Sequence, residues 1–131
     1  MPTFKTTQIS NLGKLGEYLA QKYLLNKGYF ILETNFKNNF GKQLGEIDII
    51  AQKDQTLVFV EVKTRKKSFS HNVLPEENIT KNKLYKLNRI TQIYLKIKKL
   101  QNKPYQFDAI SILYDPATKK AQVKHLENIF I

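Results

Sequence analysis

Three side chains in the segment from Leu44 to Arg65, LGEIDIIAQKDQTLVFVEVKTR, are out of place in a hairpin built only for packing: Asp48, Glu61 and Lys63. Strand alternation puts successive side chains on opposite faces. In the second run, Leu57, Phe59, Glu61 and Lys63 therefore share one face, and Val58, Val60 and Val62 the other. In the first run, Glu46, Asp48 and Ile50 fall together, opposite Ile47, Ile49 and Ala51. A turn centred near residues 53 to 54, with roughly four polar residues between the runs, sets position 48 across from about 59 to 61. Asp48 then lies beside Glu61 and Lys63. Two converging carboxylates repel unless a proton or a cation sits between them. A hard divalent ion with oxygen ligands, Mg²⁺ or Mn²⁺, resolves the conflict. Such an ion beside a lysine suits hydrolysis of phosphodiesters. The competing reading is an exposed cross-strand ion pair, Glu61 with Lys63, with Asp48 solvated.

The charge of the whole chain favours the first reading. Lys and Arg total 22 against 11 acidic residues, a net charge of +11 over 131 residues. That excess favours polyanions, nucleic acid first (DNA, with RNA the alternative) and an anionic membrane surface second. Lysine dominates the positive set, which suits phosphate attraction more than bidentate base reading. The absence of cysteine excludes disulfides, thiol catalysis and Cys-ligated zinc. No apolar run is long enough for a signal peptide or membrane span, so a soluble cytoplasmic protein is expected. His71 and His125 lack spaced partners for a metal site and read as surface residues.

The elements that must position the hairpin can be read in order. Residues 1 to 11 form a loosely held polar lead to a single domain covering residues 1–131. Leu12 to Lys27 carries apolar residues at 12, 15, 19 and 23, a helical stripe that Gly28 stops. Gly13, Gly16 and Ala20 make a small-residue strip that permits close backbone approach, and Glu17 projects beside it. Tyr29 to Phe36 reads as the first strand, and KNNFGKQ as a turn-rich connection. After the hairpin, residues 66 to 78 lack periodicity and form a long loop. TKNKLYKLNRITQIYLKIKKL is a basic amphipathic helix with Leu84, Leu87, Ile90, Tyr94 and Ile97 on its apolar face. YQFDAISILY and AQVKHLE supply two further strands. The order α-β-β-β-α-β-β describes one α/β domain, a mixed sheet flanked by helices. Tyr85 and Tyr105 are placed to stack on bases; Tyr94, on the apolar stripe, belongs to the core.

GKLGEYLAQKYLLNKGYFILETNF, GEIDIIA, LVFVEVKTR, TKNKLYKL and QFDAI, in that order, resemble the YraN-like family of small bacterial proteins over roughly residues 11 to 114. That family is similar to archaeal Holliday-junction resolvases and to the PD-(D/E)xK nuclease superfamily. The resemblance implies a restriction-endonuclease-like fold and a Mg²⁺- or Mn²⁺-dependent endonuclease acting on DNA, branched or junction DNA included. By position it implies Asp48 and Glu61 as metal ligands with the Val62 backbone carbonyl, and Lys63 as the residue that orients or activates water. Glu17 matches a helix-borne acidic residue that completes the site. Lys83 matches a basic residue near phosphate; apart from the resemblance, the basic helix and the loop 66 to 78 are expected to contact phosphates, with Lys86, Arg65, Lys66 and Lys67 as the residues concerned. Glu46 either touches the site or caps the strand. Two departures stand out. Ile47 replaces the proline of the Pro-Asp pair, and Gln106 stands where arginine is common, beside Asp108. A non-catalytic nucleic-acid-binding module on the same scaffold is the alternative. Symmetric cutting of two strands would need a homodimer.

Overall fold

The computed structural model describes residues 3–5, 11–38, 41, 44–68 and 80–129. The elements are β1 (Thr3–Lys5), α1 (Leu12–Asn26), β2 (Phe30–Lys37), β3 (Glu46–Lys53), β4 (Thr56–Lys66), α2 (Lys81–Ile97), β5 (Tyr105–Asp115) and β6 (Lys120–Leu126). All six strands join one sheet in the order β1-β6-β5-β4-β3-β2. β4 and β5 are parallel and every other pair is antiparallel, so the sheet is mixed. The parallel pair follows from the α2 crossover, because a parallel neighbour needs a connection long enough to return the chain to its starting edge.

Each helix buries one stripe against one face of the sheet. Leu15, Leu19, Tyr23 and Leu24 of α1 pack with Ile49, Val58, Val60, Ile110, Ile112 and Val123. Leu87, Ile90, Tyr94 and Leu95 of α2 pack with Ile47, Ile50, Leu57, Phe59 and Phe107. The result is a helix–sheet–helix sandwich whose central strands, buried on both faces, read as continuous apolar runs. Tyr94 meets Phe36 and Phe59 edge-on, at ring-centroid separations of 5.0 and 5.7 Å. Asn11 caps α1 by accepting the Lys14 N–H, and Thr80 caps α2 by accepting the Lys83 N–H. Gly28, at φ 90°, takes the left-handed turn that ends α1. No described helix is long and apolar enough to cross a membrane.

Four expectations change. Within the lead, Thr3–Lys5 form β1, paired with β6 through Thr3↔Gln122 to Lys5↔Lys120, while residues 1–2 and 6–10 lie outside the described residues. The hairpin turn is tighter than four residues: β3 ends at Lys53 and β4 begins at Thr56, with Asp54 at φ 54°. Ile97 is exposed; Leu95 fills the apolar face instead, because the helical stripe drifts around α2. Alternation along β3 also breaks, since Ile47 joins Ile50 on the α2 side while Ile49 and Ala51 face α1. The break has a local cause at Asp48.

Candidate active site

The β3–β4 ladder runs from Lys53↔Thr56 to Ile49↔Val60 and stops there. Its register puts Asp48 across from Glu61. At that point the next β4 donor, the Val62 N–H, is taken by Asp48 Oδ2 at 2.7 Å rather than by a β3 carbonyl. A side chain replacing a rung of the ladder lets β3 swing away from β4 while it stays paired with β2 through Phe36↔Ile47 and Lys37↔Glu46. The swing rotates Ile47 out of phase and opens a gap at the end of the sheet. The expected ligand Val62 thus enters through its N–H. Its carbonyl faces the same side, because N–H and C=O of one extended residue point together.

Into this gap α1 delivers Glu17. The helix approaches β4 so closely that a Cβ built on Gly16 would lie 1.8 Å from Thr64 Oγ1. Only glycine permits that contact, and the contact sets Glu17 one residue further on against the sheet's open end. Asn35 of β2, held at φ 53°, turns its side-chain amide to donate to both Glu17 oxygens at 3.1 and 3.2 Å. Asparagine tolerates this backbone region better than most residues. One carboxylate oxygen each from Glu17, Glu46 and Asp48 lies within 4.8 Å of the others. Glu46 also meets Lys37 Nζ at 3.7 Å.

Glu61 and Lys63 line the opposite wall. Lys63 Nζ sits 3.1 Å from Glu61 Oε1, with both side chains about one-fifth exposed. With Leu44, Gly45, Glu46, Asp48, Lys83 and Lys86 they bound an open cleft of about 330 Å³, floored by Leu87 and Ile90. Burial alone would lower the Lys63 pKa, but the Lys83 side chain, Glu61 and Asp48 outweigh it and raise it. Lys83 moves down, chiefly through its contact with Lys63 and secondarily through burial. Lys63 thus sits between the two carboxylates with Lys83 as a second nitrogen at its side.

Asp48 carries the electrostatic strain of the site. Burial first, then the charge of Glu61, push its carboxyl up to about 7, with Glu17 and Glu46 adding to the rise; the Val62 N–H opposes it. Three oxygen-donor side chains converging on one point, one of them a carboxyl that burial and the neighbouring carboxylates push up to about 7, fit a hard divalent cation. Glu61, turned to Lys63, stands beside the group of three. Glu46, read from the sequence as touching the site or capping a strand, is a full member of it. The GEID spacing carried that signal. Asn35 carried none, since nothing local distinguishes it from an ordinary strand residue.

Several sequence-based expectations fall away from the cleft. By alternation Arg65 keeps the Lys63 side of β4, but Lys66 points to the α1 side with Thr64. Lys67 borders a separate depression with Asp115, Thr118 and Lys120, and its backbone N–H donates to the Tyr114 carbonyl. His71 and most of the loop 66–78 lie outside the described residues. His125 is not a surface residue: its side chain is 7% exposed and its Nε2 lies 2.6 Å from the fully buried Asp108. Its Nδ1 lies 3.2 Å from the Tyr23 hydroxyl. Asp108 also accepts from Gln106 Nε2 at 2.8 Å and from the Asn128 N–H at 2.9 Å. The pairing joins β5 to β6, 17 residues apart, which spacing along the chain does not reveal.

Comparison with known proteins shows the family to which the chain belongs. The model of the uncharacterised protein family UPF0102 matches residues 16–112. A UPF0102 protein of Dictyoglomus turgidum is 39% identical over 120 residues, spanning 91% of this chain and 96% of its own. One from Syntrophomonas wolfei is 40% identical over 119 residues, with the same shares. One from Clostridium botulinum is 39% identical over 121 residues, 92% of this chain and 94% of its own. The match runs from the Gly16 contact through the hairpin and α2 into β5, so the chain belongs to the UPF0102 (YraN-like) family.

Proposed function

We propose that this protein is a divalent-metal-dependent nuclease of the restriction-endonuclease-like fold, hydrolysing phosphodiester bonds in DNA. The observation that carries the reading is the convergence of Glu17, Glu46 and Asp48 beside the Glu61–Lys63 pair, at the one end of the sheet where the hairpin opens. The mixed sheet between two helices supports the fold assignment, and the net charge of +11 supports a polyanionic substrate.

Glu17, Glu46 and Asp48 would hold Mg²⁺ or Mn²⁺, with Glu61 and the Val62 carbonyl adjoining. Bound there, the ion supplies Lewis acidity toward the phosphate. The chain's own groups do the rest. Asp48 is fixed by the Val62 N–H and Glu17 by Asn35, so the carboxylates are held before substrate arrives. Lys63, held cationic by Glu61, orients water and offsets charge growing on the phosphoryl oxygens. Lys83 and Lys86 draw the flanking phosphates against the apolar floor of Leu87 and Ile90.

The test is incubation of labelled linear, flap and four-way-junction DNA with Mg²⁺ or Mn²⁺. Cleavage that Asp48→Ala and Lys63→Ala abolish is the expected result. Binding without cleavage, unchanged in both variants and with no Mn²⁺ taken up at millimolar concentration, would establish a non-catalytic binding module instead.

A further inference from the structure

α2 has more surface than its cleft-lining residues use. Over its 17 residues it carries Lys81, Lys83, Lys86, Arg89 and Lys96 and no acidic side chain. In the middle of this positive face Tyr85 is 54% exposed and belongs to neither core cluster. The Arg89 guanidinium lies over its ring, 6.0 Å from the centroid. At about 100° per residue, Lys86, Arg89 and Tyr85 follow one another around the helix, from the rim of the cleft toward its outer side.

We propose that Tyr85, braced by Arg89, is a stacking platform for an unpaired nucleobase adjacent to the phosphate held in the cleft. The argument rests on charge complementarity and on the chemistry of an aromatic face. A cation over one face of the ring holds its orientation and leaves the remainder to solvent. A polyanionic strand led out of the cleft by Lys86 meets Arg89 next and then Tyr85. Base–aromatic stacking is tolerant of sequence because every base has a π-face. Bases inside a duplex have both faces covered by their neighbours, so the platform selects an overhang, flap or branch over a blunt duplex. The inference deepens the proposed function by naming the substrate class of that site, and it rests on the reading that the cleft takes a phosphodiester.

The experiment uses the full chain and 2-aminopurine-labelled oligonucleotides: a DNA with a single-stranded overhang, its RNA counterpart and a blunt DNA duplex. Binding is followed in Ca²⁺ by fluorescence and anisotropy, and cleavage in Mg²⁺ in parallel. Wild-type protein should quench the probe in an overhang. Tyr85→Ala should weaken overhang binding about tenfold and blunt-duplex binding less than twofold, while Tyr85→Phe keeps wild-type affinity. The DNA and RNA arms identify which strand the platform takes. Equal losses on overhang and blunt duplex, no loss with Tyr85→Ala, or a loss as large with Tyr85→Phe would each overturn the platform. If wild-type protein cuts DNA but Tyr85→Ala binds normally, only the platform falls. If the overhang probe is quenched through Tyr85 but nothing is cut, only the catalytic reading falls. If no oligonucleotide binds, both fall.

Discussion

The Val62 N–H donates to Asp48 Oδ2 at 2.7 Å, one step beyond the last rung of the β3–β4 ladder at Ile49↔Val60. One hydrogen bond thus ends the hairpin, fixes a carboxylate beneath three others and opens the cleft. The same bond tempers a penalty that burial and neighbouring charge impose on Asp48.

That penalty has a sign. The Asp48 carboxyl, ordinarily near 3.8, is raised to about 7 in the folded protein. Between those values the folded state holds a proton that the unfolded chain has released. Without divalent cation, stability therefore falls as pH rises through that window and levels off above it. Asp48→Asn keeps an acceptor for the Val62 N–H and removes the charge. It should match wild type near pH 4 and exceed it at pH 8 by an amount on the order of a few kcal/mol. Chemical denaturation at the two pH values measures this, and a difference independent of pH would contradict it.

A cation and a proton compete for the same group. Mn²⁺ affinity should fall roughly tenfold per pH unit below pH 7, and Mn²⁺ should raise the unfolding temperature most above that value. Glu17→Gln and Glu46→Gln should each reduce that thermal shift. Calorimetry at pH 6 and pH 8 reads the proton linkage directly. Equal affinities at both would show that Asp48 is no part of the ion site.

Gly16→Ala places a methyl group 1.8 Å from Thr64 Oγ1, so α1 must back away from β4. Overpacking of this kind costs about 1–3 kcal/mol. Thr64→Ala should recover much of it in the double variant, as a double-mutant cycle would detect. Because Glu17 follows Gly16, Mn²⁺ binding should weaken in the single variant and return in the double.

Asp108 tests stability apart from the cleft. It is fully buried, paired with His125 and donated to by Gln106 and Asn128. His125→Ala leaves that buried carboxyl one hydrogen-bond partner short and should cost about 1–3 kcal/mol. Replacing Asp108 as well should cost less than the sum of the two single changes. Folded His125→Ala should still bind Mn²⁺ normally. A loss of ion binding greater than its loss of stability would place Asp108 in the function after all.

The sequence by itself determined both helices, five of the six strands, the α/β layering and the local chemistry of the hairpin. Period-2 and helical patterns are written in adjacent residues, and the ExK spacing puts Glu61 and Lys63 on one face whatever surrounds them. A turn fixes register, so even Asp48 against Glu61 was legible from the count of residues between them. Tertiary structure alone decided which distant groups join that face. Glu17 reaches the site because Gly16 lets α1 press on Thr64, and Asn35 reaches Glu17 across from β2. Asp108 and His125 meet because β5 and β6 pair. Ile47 turns toward α2 because a side chain, not a backbone carbonyl, takes the Val62 N–H. Each of these depends on packing between segments far apart in the chain, and local periodicity carries no record of such contacts.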